Sequence, residues 1–389
     1  MKKQNYATAH ASLRLSAKRF EQSPYLEKYD CDELLFGLYA RRFYPLSLGQ
    51  DPVEQYWQLR RGVMLYDVPE KPLEIKGPDA LALLERVFTR RISDLKLWRA
   101  RYAIACTPQG GIVMDGVLIR LAEDHFYYVT ADGDFEQWLF AHSAGLEVKI
   151  NDPRSRVLQI QGPKSLDLLR DAVGGRLPEP FGYFHAGMLD FGGQHLLTSR
   201  TGWTGELGFE IYSVGATTDH SALWDHLIDV GKSHGMQFSS AESMGIRRIE
   251  AGILDYGTDI DMQMTPYQAG LGAFVDLSKD DFVGKSALLD ADQSIALFGL
   301  KCRGAAPLSG LGVWEAGNRV GTMTTGAWTP YLNTGIGFVR FDAAGDWLGR
   351  SLTLVDRDNN EHACEVVELP FYDSKKEIPR GVAVATDID

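Results

Sequence analysis

The sequence contains little cysteine and no long apolar run. Its four cysteines, Cys31, Cys106, Cys302 and Cys364, are far apart and form no CxxC pair. Because zinc sites and disulfide frameworks need closer groupings, we expect isolated buried thiols in a reducing cytoplasm and no bound metal. No apolar stretch approaches the ~20 residues that cross a bilayer, and residues 1–19 lack the apolar segment of a secretory signal. The chain is therefore expected to be cytoplasmic, with no membrane partner.

An excess of positive charge is missing too. The 389 residues include 52 acidic and 40 basic side chains, which give a formal net charge of −12. Since an acidic chain repels a phosphate backbone, we expect no nucleic-acid partner. Hydrophobic residues make up 44% and charged residues 24%, a balance that is typical of globular proteins and excludes a disordered chain. The length predicts two or three domains.

Signatures of phosphate binding and of nucleophilic catalysis are also missing. The sequence has no GxxxxGK followed by Ser or Thr, and no GxGxxG that follows a strand and opens a helix. Gly202 and Gly205 have a GxxG spacing, but aromatic residues follow them instead of a helix. There is no GxSxG motif, and the nine histidines are scattered without an HExxH. A nucleotide cradle and a nucleophile with a histidine base are therefore disfavoured.

Two segments of the sequence are similar to each other. Leu73–Leu84 (LEIKGPDALALL) recurs about 85 residues later as Leu158–Leu169 (LQIQGPKSLDLL). Each copy alternates apolar and polar residues as a strand does, continues with Gly-Pro, and then has leucines at helical spacing. The repeat predicts two strand–turn–helix units and therefore two related α+β subdomains that pack together. The alternative is a chance likeness between two ordinary strand–helix turns.

The residues between the two copies predict a strand pair and a helix. Residues 111–121 and 125–131 are expected to form the strands, because a Gly-Gly turn precedes them and a short polar connection separates them. Asp134 is expected to begin a helix that ends at Gly145.

The second half of the chain changes from helices to short strands. Apolar spacing predicts amphipathic helices around residues 223–228 and 246–253. From about residue 291 short strands follow, with turns expected at Gly310, Gly317, Gly326 and Gly335. This change predicts one large region, residues 1–290, and a small β-rich domain, residues 291–389.

Two carboxylates lie in unexpected places among apolar residues. Asp115 interrupts an apolar strand, and Glu210 lies between two apolar residues of another. Since burial of a bare carboxylate is costly, each needs donors, a cation or solvent, and a solvent-facing edge position is the alternative. Together with Trp203, Tyr127 and Tyr212, the two carboxylates are expected to line a pocket for a flat, polar heterocycle whose N–H groups they accept.

A family resemblance supports that pocket. Thr201–Tyr212 (TGWTGELGFEIY) resembles the folate-binding signature of the glycine-cleavage T-protein (aminomethyltransferase) family. Other segments agree with this family in the same order: Gly110–Asp115, Leu158–Pro163, Arg248–Gly252, Thr265–Gly272, Phe282–Lys285 and Gly321–Gly326. The resemblance extends from about Tyr56 to the end of the chain. It implies an α+β fold of two related ferredoxin-like subdomains plus a C-terminal β-barrel domain, arranged around a central folate funnel, with tetrahydrofolate as the cofactor.

Within this family, the chain is most similar to tetrahydrofolate-dependent demethylases of the dimethylsulfoniopropionate type. The similarity lies in residues 63–68, 73–77 and 121–132. The resemblance implies the following folate-contacting residues: Tyr102, Asp115, Tyr127, Val129, Trp203, Glu210 and Tyr212. The T-protein has an arginine near the position of Met244, so Arg247 or Arg248 is expected to substitute for it.

The resemblance also implies a mechanism. Glu210 accepts hydrogen bonds from the pterin ring, and Asp115 is the catalytic residue beside the reactive nitrogens. The positive charge of a methyl donor is expected to lie against Tyr39, Tyr183 and Phe184, although these rings are alternatively core aromatics.

The predicted reaction moves a methyl group from a small methylated zwitterion, such as dimethylsulfoniopropionate, to N5 of tetrahydrofolate, which gives 5-methyltetrahydrofolate. The alternatives are a glycine-cleavage aminomethyltransferase and a non-catalytic folate-binding protein. The expected partners are the small methylated substrate and, as an assembly to be tested, a second copy of the chain in a homodimer.

Overall fold

The computed structural model describes residues 16–384. The expected absence of a secretory signal concerns residues 1–19, most of which lie outside this range. The strands are β1 (Leu35–Tyr39), β2 (Arg42–Ser47), β3 (Met64–Val68), β4 (Lys71–Lys76), β5 (Arg99–Cys106), β6 (Ile112–Ala122), β7 (His125–Thr130), β8 (Lys149–Asn151), β9 (Val157–Gln161), β10 (Ala186–Phe191), β11 (Gln194–Ser199), β12 (Gly208–Tyr212), β13 (Gln237–Phe238), β14 (Leu297–Cys302), β15 (Gly312–Glu315), β16 (Asn318–Thr329), β17 (Thr334–Phe341), β18 (Ser351–Val355) and β19 (Glu361–Val367). The helices are α1 (Pro52–Arg61), α2 (Ala80–Val87), α3 (Phe135–His142), α4 (Ser165–Ala172), α5 (His220–His234), α6 (Ala241–Glu250) and α7 (Lys285–Asp290), with short 3-10 helices at Ala17–Arg19, Leu26–Lys28 and Gly272–Phe274.

The strands form two open sheets, a barrel and a hairpin. A five-stranded antiparallel sheet has the order β5-β6-β7-β4-β8. A six-stranded sheet has the order β10-β11-β12-β9-β3-β13, and its neighbours are antiparallel except for β3 and β13. The barrel closes in the order β14-β17-β16-β15-β18-β19, and β1 pairs with β2. Because β3 and β9 belong to the six-stranded sheet and the chain between them builds the other, the two sheet units are intertwined.

The predicted repeat is found as two equivalent units. β4 leads through Gly77 into α2, and β9 leads through Gly162 into α4. The buried residues have the same spacing in both helices: Ala80, Leu83, Leu84 and Val87 in α2, and Ser165, Leu168, Leu169 and Ala172 in α4. Gly77 has φ 140° and Gly162 has φ 122°. A Cβ at these positions would lie 2.6 and 2.5 Å from a backbone carbonyl oxygen, so each turn requires glycine. The predicted α+β fold with a C-terminal barrel is confirmed.

Two of the predicted glycine turns in the barrel are wrong. Gly326 lies inside β16 and Gly335 lies inside β17. A Cβ on Gly326 would lie 1.9 Å from the carbonyl oxygen of Pro307, and one on Gly335 would lie 1.8 Å from that of Ala305. These glycines therefore lie where the backbone of residues 305–307 packs against β16 and β17, and this close approach explains them better than a turn. The sequence pattern alone does not distinguish the two causes.

Other predicted boundaries shift by a few residues. α3 ends at His142, before Gly145, and α6 ends at Glu250, before residue 253. After the barrel, the chain returns to the two-sheet region, where the amide of Phe371 donates to the Glu250 carbonyl oxygen at 3.1 Å. Arg200 likewise donates to the carbonyl oxygen of Arg380 at 2.8 Å. The division of the chain near residue 290 stays a prediction.

The apolar core consists of separate clusters, two of which lie between the two sheets or between a sheet and the barrel. One cluster lies between the six-stranded sheet and helices α4 and α5, and another between the five-stranded sheet and helices α2 and α3. A third lies between the two sheets and includes Tyr66, Tyr127, Tyr212 and Met244. A fourth joins the barrel to β5 and β6. The two sheets, α6 and the barrel therefore surround a common centre.

Three findings concern residues 16–384 only. No helix in this range is both long and apolar enough to span a bilayer. No group of three or more His, Cys, Asp or Glu side chains in it is arranged to hold a metal ion. The four cysteines are free thiols; Cys106, Cys302 and Cys364 are buried as predicted, but the prediction is wrong for Cys31, which is exposed.

Candidate active site

A cavity of about 970 Å³ lies where the two sheets, the β1–β2 hairpin, α6 and the barrel meet. Its volume falls in the range of roughly 300–1,000 Å³ that is typical of small-molecule sites. Most of the site residues predicted from the sequence line it: Tyr39, Tyr102, Asp115, Val129, Tyr183, Phe184, Trp203 and Glu210. Tyr127 and Tyr212 do not line it, although both are buried close to it.

Asp115 lies on β6, opposite Ile104 of β5, and its carboxylate faces the cavity. The side chain is only 7% exposed, so the alternative of a solvent-facing position is wrong. The Tyr102 hydroxyl donates to Oδ2 at 2.8 Å, whereas Oδ1 has no hydrogen-bond partner among the described residues. Burial raises the pKa of Asp115 to about 6; the hydrogen bond from Tyr102 opposes this rise, and the nearby Asp255 adds to it. The carboxylate is therefore poised to exchange a proton near neutral pH.

Glu210 lies on β12 with its carboxylate surrounded by donors. The amide nitrogen Nε2 of Gln159 donates to Oε1 at 2.8 Å. The hydroxyl of Tyr212 donates to Oε2 at 2.6 Å, and the hydroxyl of Thr201 donates to the same oxygen. Burial raises the pKa of Glu210, and these hydrogen bonds oppose the rise. The strand presents a buried carboxylate whose position is set by three neighbours.

Tyr212 acts on the cavity through Glu210 and does not line it. Its ring packs edge-on against that of Tyr127, with ring centroids 6.1 Å apart and planes at 73°. Both rings belong to the apolar cluster between the two sheets. Neither ring lies at the cavity wall. Direct contact of these two tyrosines with the cofactor therefore stays a prediction.

A second carboxylate, which the sequence pattern did not predict, lies near Glu210. Glu70 follows β3 and lines the cavity. Nε2 of Gln159 lies 3.2 Å from its Oε1, so the amide bridges Glu70 and Glu210. Oε2 of Glu70 has no hydrogen-bond partner within the described part of the chain. Burial and the charge of Glu210 raise the pKa of Glu70. Glu70 lies in a loop between two prolines, where no periodic pattern marks it as a site residue.

The structure distinguishes the two arginines that were expected to replace the family arginine. Arg248 lines the cavity, with its guanidinium carbon 5.0 Å from the Trp203 ring centroid. It forms an ion pair with Asp259 at 2.5 Å and donates to the Thr325 hydroxyl at 3.0 Å. Arg247 points elsewhere and forms a buried ion pair with Glu206 at 2.7 Å. Of these two arginines, Arg248 is the one that lines the cavity, and its substitution for the family arginine stays a prediction.

The predicted substrate aromatics lie on two walls of the cavity. Tyr183 and Phe184 pack edge-on, with ring centroids 4.7 Å apart and planes at 87°. Phe184 has φ 60°, and its backbone accepts from the Ala100 amide at 2.8 Å, which holds this unusual conformation. Tyr39 ends β1 and reaches the cavity from the hairpin. These rings therefore line the cavity and are not simply core residues.

Comparisons with known proteins agree with this architecture. The chain is 31% identical over 332 residues to an aminomethyltransferase of Alkaliphilus metalliredigens, which covers 82% of this chain and 89% of that protein. It is 33% identical over 327 residues to an aminomethyltransferase of Alkaliphilus oremlandii, with 81% and 87% covered. A trimethylamine-oxide aldolase of Ruegeria pomeroyi is 30% identical over 350 residues, but these cover 85% of this chain and only 44% of that protein.

A solved structure has the same fold. The glycine cleavage system aminomethyltransferase T from Bartonella henselae superposes with a TM-score of 0.81 at 25% sequence identity, and 91% of this chain and 98% of that one are covered. The aminomethyltransferases of this fold and family use tetrahydrofolate, the predicted cofactor. A finer likeness to the dimethylsulfoniopropionate demethylases stays a prediction.

Two family models match the chain one after the other. The GCVT N-terminal domain matches residues 38–279, and the glycine cleavage T-protein C-terminal barrel domain matches residues 296–373. The first match covers the two intertwined sheets that surround the cavity, and the second covers the closed barrel. Together with the aminomethyltransferase relatives, these matches show that the chain belongs to the glycine-cleavage T-protein family.

Proposed function

We propose that this chain is a tetrahydrofolate-dependent transferase that moves an aminomethyl one-carbon unit, the activity that the names of its relatives describe. The observation that carries the proposal is the carboxylate of Asp115. It is buried, one of its oxygens has no partner among the described residues, and it shares a cavity with Glu210. A buried, unpaired polar atom in a cavity calls for a ligand that supplies the missing hydrogen bond.

The residues of the cavity fit tetrahydrofolate. Its aminopyrimidine edge presents several N–H donors, and the paired carboxylates Glu210 and Glu70 offer acceptor oxygens, one of them unpartnered within residues 16–384. The indole of Trp203 offers a flat surface for the ring system, and Arg248 lies against the same indole. These features support a pterin site between Glu210 and Trp203.

The chemistry assigned to Asp115 follows from its surroundings. When bound, tetrahydrofolate supplies a nucleophilic ring nitrogen that accepts the one-carbon unit. With a pKa of about 6, Asp115 is mostly ionised at pH 7 and can still take up a proton, which suits a general base in a step that ends with release of ammonia. The Tyr102 hydroxyl donates to Oδ2 at 2.8 Å, so Oδ1 is the oxygen that has no partner among the described residues.

The predicted demethylase remains a second candidate, favoured by the aromatic walls of the cavity. Tyr39, Tyr183 and Phe184 offer ring surface to a methylated cation. In methyl transfer from a sulfonium, the leaving group is a neutral thioether and needs no proton. Asp115 would then contribute orientation and electrostatic stabilisation only. The two reactions therefore differ in how strongly they need a proton acceptor at this position.

Product analysis tests the proposal. The purified protein is incubated anaerobically with tetrahydrofolate and, in separate arms, with an aminomethyl-loaded lipoyl carrier, dimethylsulfoniopropionate, glycine betaine or dimethylglycine. We expect 5,10-methylenetetrahydrofolate and ammonia in the first arm, assayed by mass. 5-Methyltetrahydrofolate from a sulfonium or betaine arm alone would replace the proposal by the demethylase. Binding of tetrahydrofolate without any product would leave a non-catalytic folate protein.

The predicted pterin contact has its own test. Glu210→Gln removes the charged acceptor but keeps the shape of the side chain. Since a hydrogen bond to a charged group contributes about 1.5–3 kcal/mol, tetrahydrofolate should bind at least about 10-fold more weakly. Glu361→Gln, an exposed substitution on β19, is the matched control. Equal affinities of the two variants, measured by calorimetry, would show that the pterin does not contact Glu210.

A further inference from the structure

The loop after β3 places Glu70 on the cavity wall. Glu70 follows the end of β3 by two residues, is half-buried and lines the cavity. Arg42, which is 1% exposed, holds this loop in place. Its Nη1 donates to the carbonyl oxygen of Glu70 at 2.7 Å and to that of Ser155 at 2.8 Å. The backbone of Glu70 is therefore fixed beside the cavity.

One amide lies between Glu70 and Glu210. Gln159 pairs with Glu210 in the β9–β12 ladder and is fully buried. Its Nε2 lies 2.8 Å from Oε1 of Glu210 and 3.2 Å from Oε1 of Glu70, so these two carboxyl oxygens are within about 6 Å of each other. Two carboxylates this close in a poorly solvated wall repel each other, and a proton on one of them removes the repulsion.

The donors around the two carboxyl groups differ. Besides Gln159, the hydroxyls of Tyr212 and Thr201 donate to Glu210. Oε2 of Glu70, by contrast, is buried and has no hydrogen-bond partner among residues 16–384. Because hydrogen bonds from donors stabilise an ionised carboxylate, these surroundings favour the charge on Glu210 and the proton on Glu70. A proton on Oε2 gives Glu70 an O–H group that is available to a ligand.

The titratable groups that approach Glu70 from other elements agree with this assignment. Burial and the charge of Glu210 raise the pKa of Glu70, and the charge of Asp67 in β3 adds to the rise. The charge of Arg42 in β2 opposes the rise. Tyr39, at the end of β1, lies near Glu70, and burial raises the pKa of this tyrosine, which therefore stays neutral.

The other cations of the cavity do not neutralise the Glu70–Glu210 pair. Lys376 and Arg380 line the cavity but are exposed, so water screens their charges. Neither is among the charges that act most strongly on Glu70. The pair therefore carries an excess of negative charge unless one of its carboxyl groups is protonated. The remaining cations bond to other groups: Arg90 to the carbonyl oxygen of Tyr102, Arg101 to Asp94, Arg248 to Asp259 and Arg42 to Glu21.

We infer that Glu70 is a neutral carboxyl group that donates its proton in a hydrogen bond to an acceptor atom of the pterin ring, while the ionised Glu210 accepts from the ring's N–H groups. The inference rests on the proposed function and adds a second residue that determines specificity. The edge of a pterin alternates N–H donors with ring-nitrogen and carbonyl acceptors. One carboxylate and one carboxyl match such an edge, whereas two carboxylates would set acceptors against acceptors.

Infrared difference spectra of the full chain without ligand test for the proton. A protonated carboxyl group has a carbonyl stretching band that ionised carboxylates and amides lack. The spectrum of the parent minus that of Glu70→Gln should show this band at about pH 6.5 and lose it by about pH 9.5. The exposed substitution Glu361→Gln is the matched control and should give no such band. Absence of the band at the lower pH would mean that both carboxyl groups are ionised, and it would overturn the inference.

Calorimetric binding of tetrahydrofolate tests the contact. The parent should bind about five-fold or more weakly at about pH 9.5 than at about pH 6.5, because Glu70 has then lost the O–H group that it donates. Gln keeps a donor and has no such proton to lose, so the affinity of Glu70→Gln should stay within about two-fold of the parent at the lower pH and hardly change with pH. Glu70→Leu, which has no donor, should bind about five-fold or more weakly at both pH values.

The outcomes are distinguishable from a failure of the proposed function. A pH profile that Glu70→Gln does not flatten, or full affinity in Glu70→Leu, overturns the contact even if tetrahydrofolate binds and reacts. A flattened profile supports the contact even if no aminomethyl group is transferred. Failure of the parent to bind tetrahydrofolate would contradict the proposed function and the contact together, whereas the infrared band would still report the proton on Glu70. A circular-dichroism spectrum that matches the parent protein shows that each variant is folded.

Discussion

Replacing Asp115 by Asn should stabilise the protein while it damages the site. Asn has the same shape, its carbonyl oxygen can accept the Tyr102 hydroxyl, and it carries no charge that burial penalises. In the folded protein the pKa of Asp115 rises from its ordinary 3.8 to about 6. A rise of this size means that the ionised carboxylate lowers the free energy of unfolding by about 3 kcal/mol.

Proton binding by Asp115 makes this effect depend on pH. Between pH 4 and pH 6 the folded state holds a proton on Asp115 that the unfolded state has released, so stability falls as pH rises through this window. The loss is complete above about pH 7, and about half of it is present at pH 5. The advantage of Asp115→Asn over the parent should therefore grow by about 1.5 kcal/mol from pH 5 to pH 8.

Urea unfolding at a series of pH values measures this difference. The informative quantity is the change in the stability advantage of Asp115→Asn between two pH values. Packing changes caused by the Asn side chain are the same at both pH values and cancel from this change. Asp290→Asn, at an exposed position, is the matched control and should show no such pH dependence. A constant or shrinking advantage of Asp115→Asn with rising pH would refute a raised pKa at this site. The same variant should lose about 10²–10⁴-fold of aminomethyl-transfer rate if Asp115 is the general base.

Three further predictions concern the supports of the site. Tyr212→Phe should weaken tetrahydrofolate binding several-fold, because Glu210 loses its 2.6 Å hydrogen bond. Tyr127→Phe is the control and should leave the affinity measured by calorimetry unchanged. Equal effects of the two variants would show that Tyr212 does not act through Glu210. Gly326→Ala should destabilise the barrel by more than about 2 kcal/mol in urea unfolding, since the new Cβ would lie 1.9 Å from a carbonyl oxygen. A smaller loss of stability would mean that residues 305–307 move aside. Arg247→Met should cost about 3–5 kcal/mol of stability because it leaves Glu206 buried with less compensation, and a normal melting temperature would contradict this role.

Local sequence patterns predicted the strands, turns and helices whose formation depends on residues close together in the chain. The repeated strand–Gly-Pro–helix units were predictable because strand alternation, the glycine turn and the helical spacing of apolar residues are all short-range properties. The carboxylates Asp115 and Glu210 were also identifiable, because a charged residue in an apolar strand stands out without a structure.

Features of the site that join residues far apart in the chain could not be predicted from the sequence. Glu70 and Asp255 lie in loops without periodicity, and only folding brings them to the cavity of Asp115. Adjacent arginines in α6 face different surroundings, so Arg248 reaches the cavity while Arg247 joins a buried ion pair. In the sequence, Gly326 and Gly335 cannot be told apart from turn glycines. In the structure, close contact with residues 305–307 is the reason that glycine is needed at both positions. Local sequence motifs are therefore enough to identify the family and the repeating units, whereas long-range packing places the side chains that share the site, because a local pattern carries no information on distant neighbours.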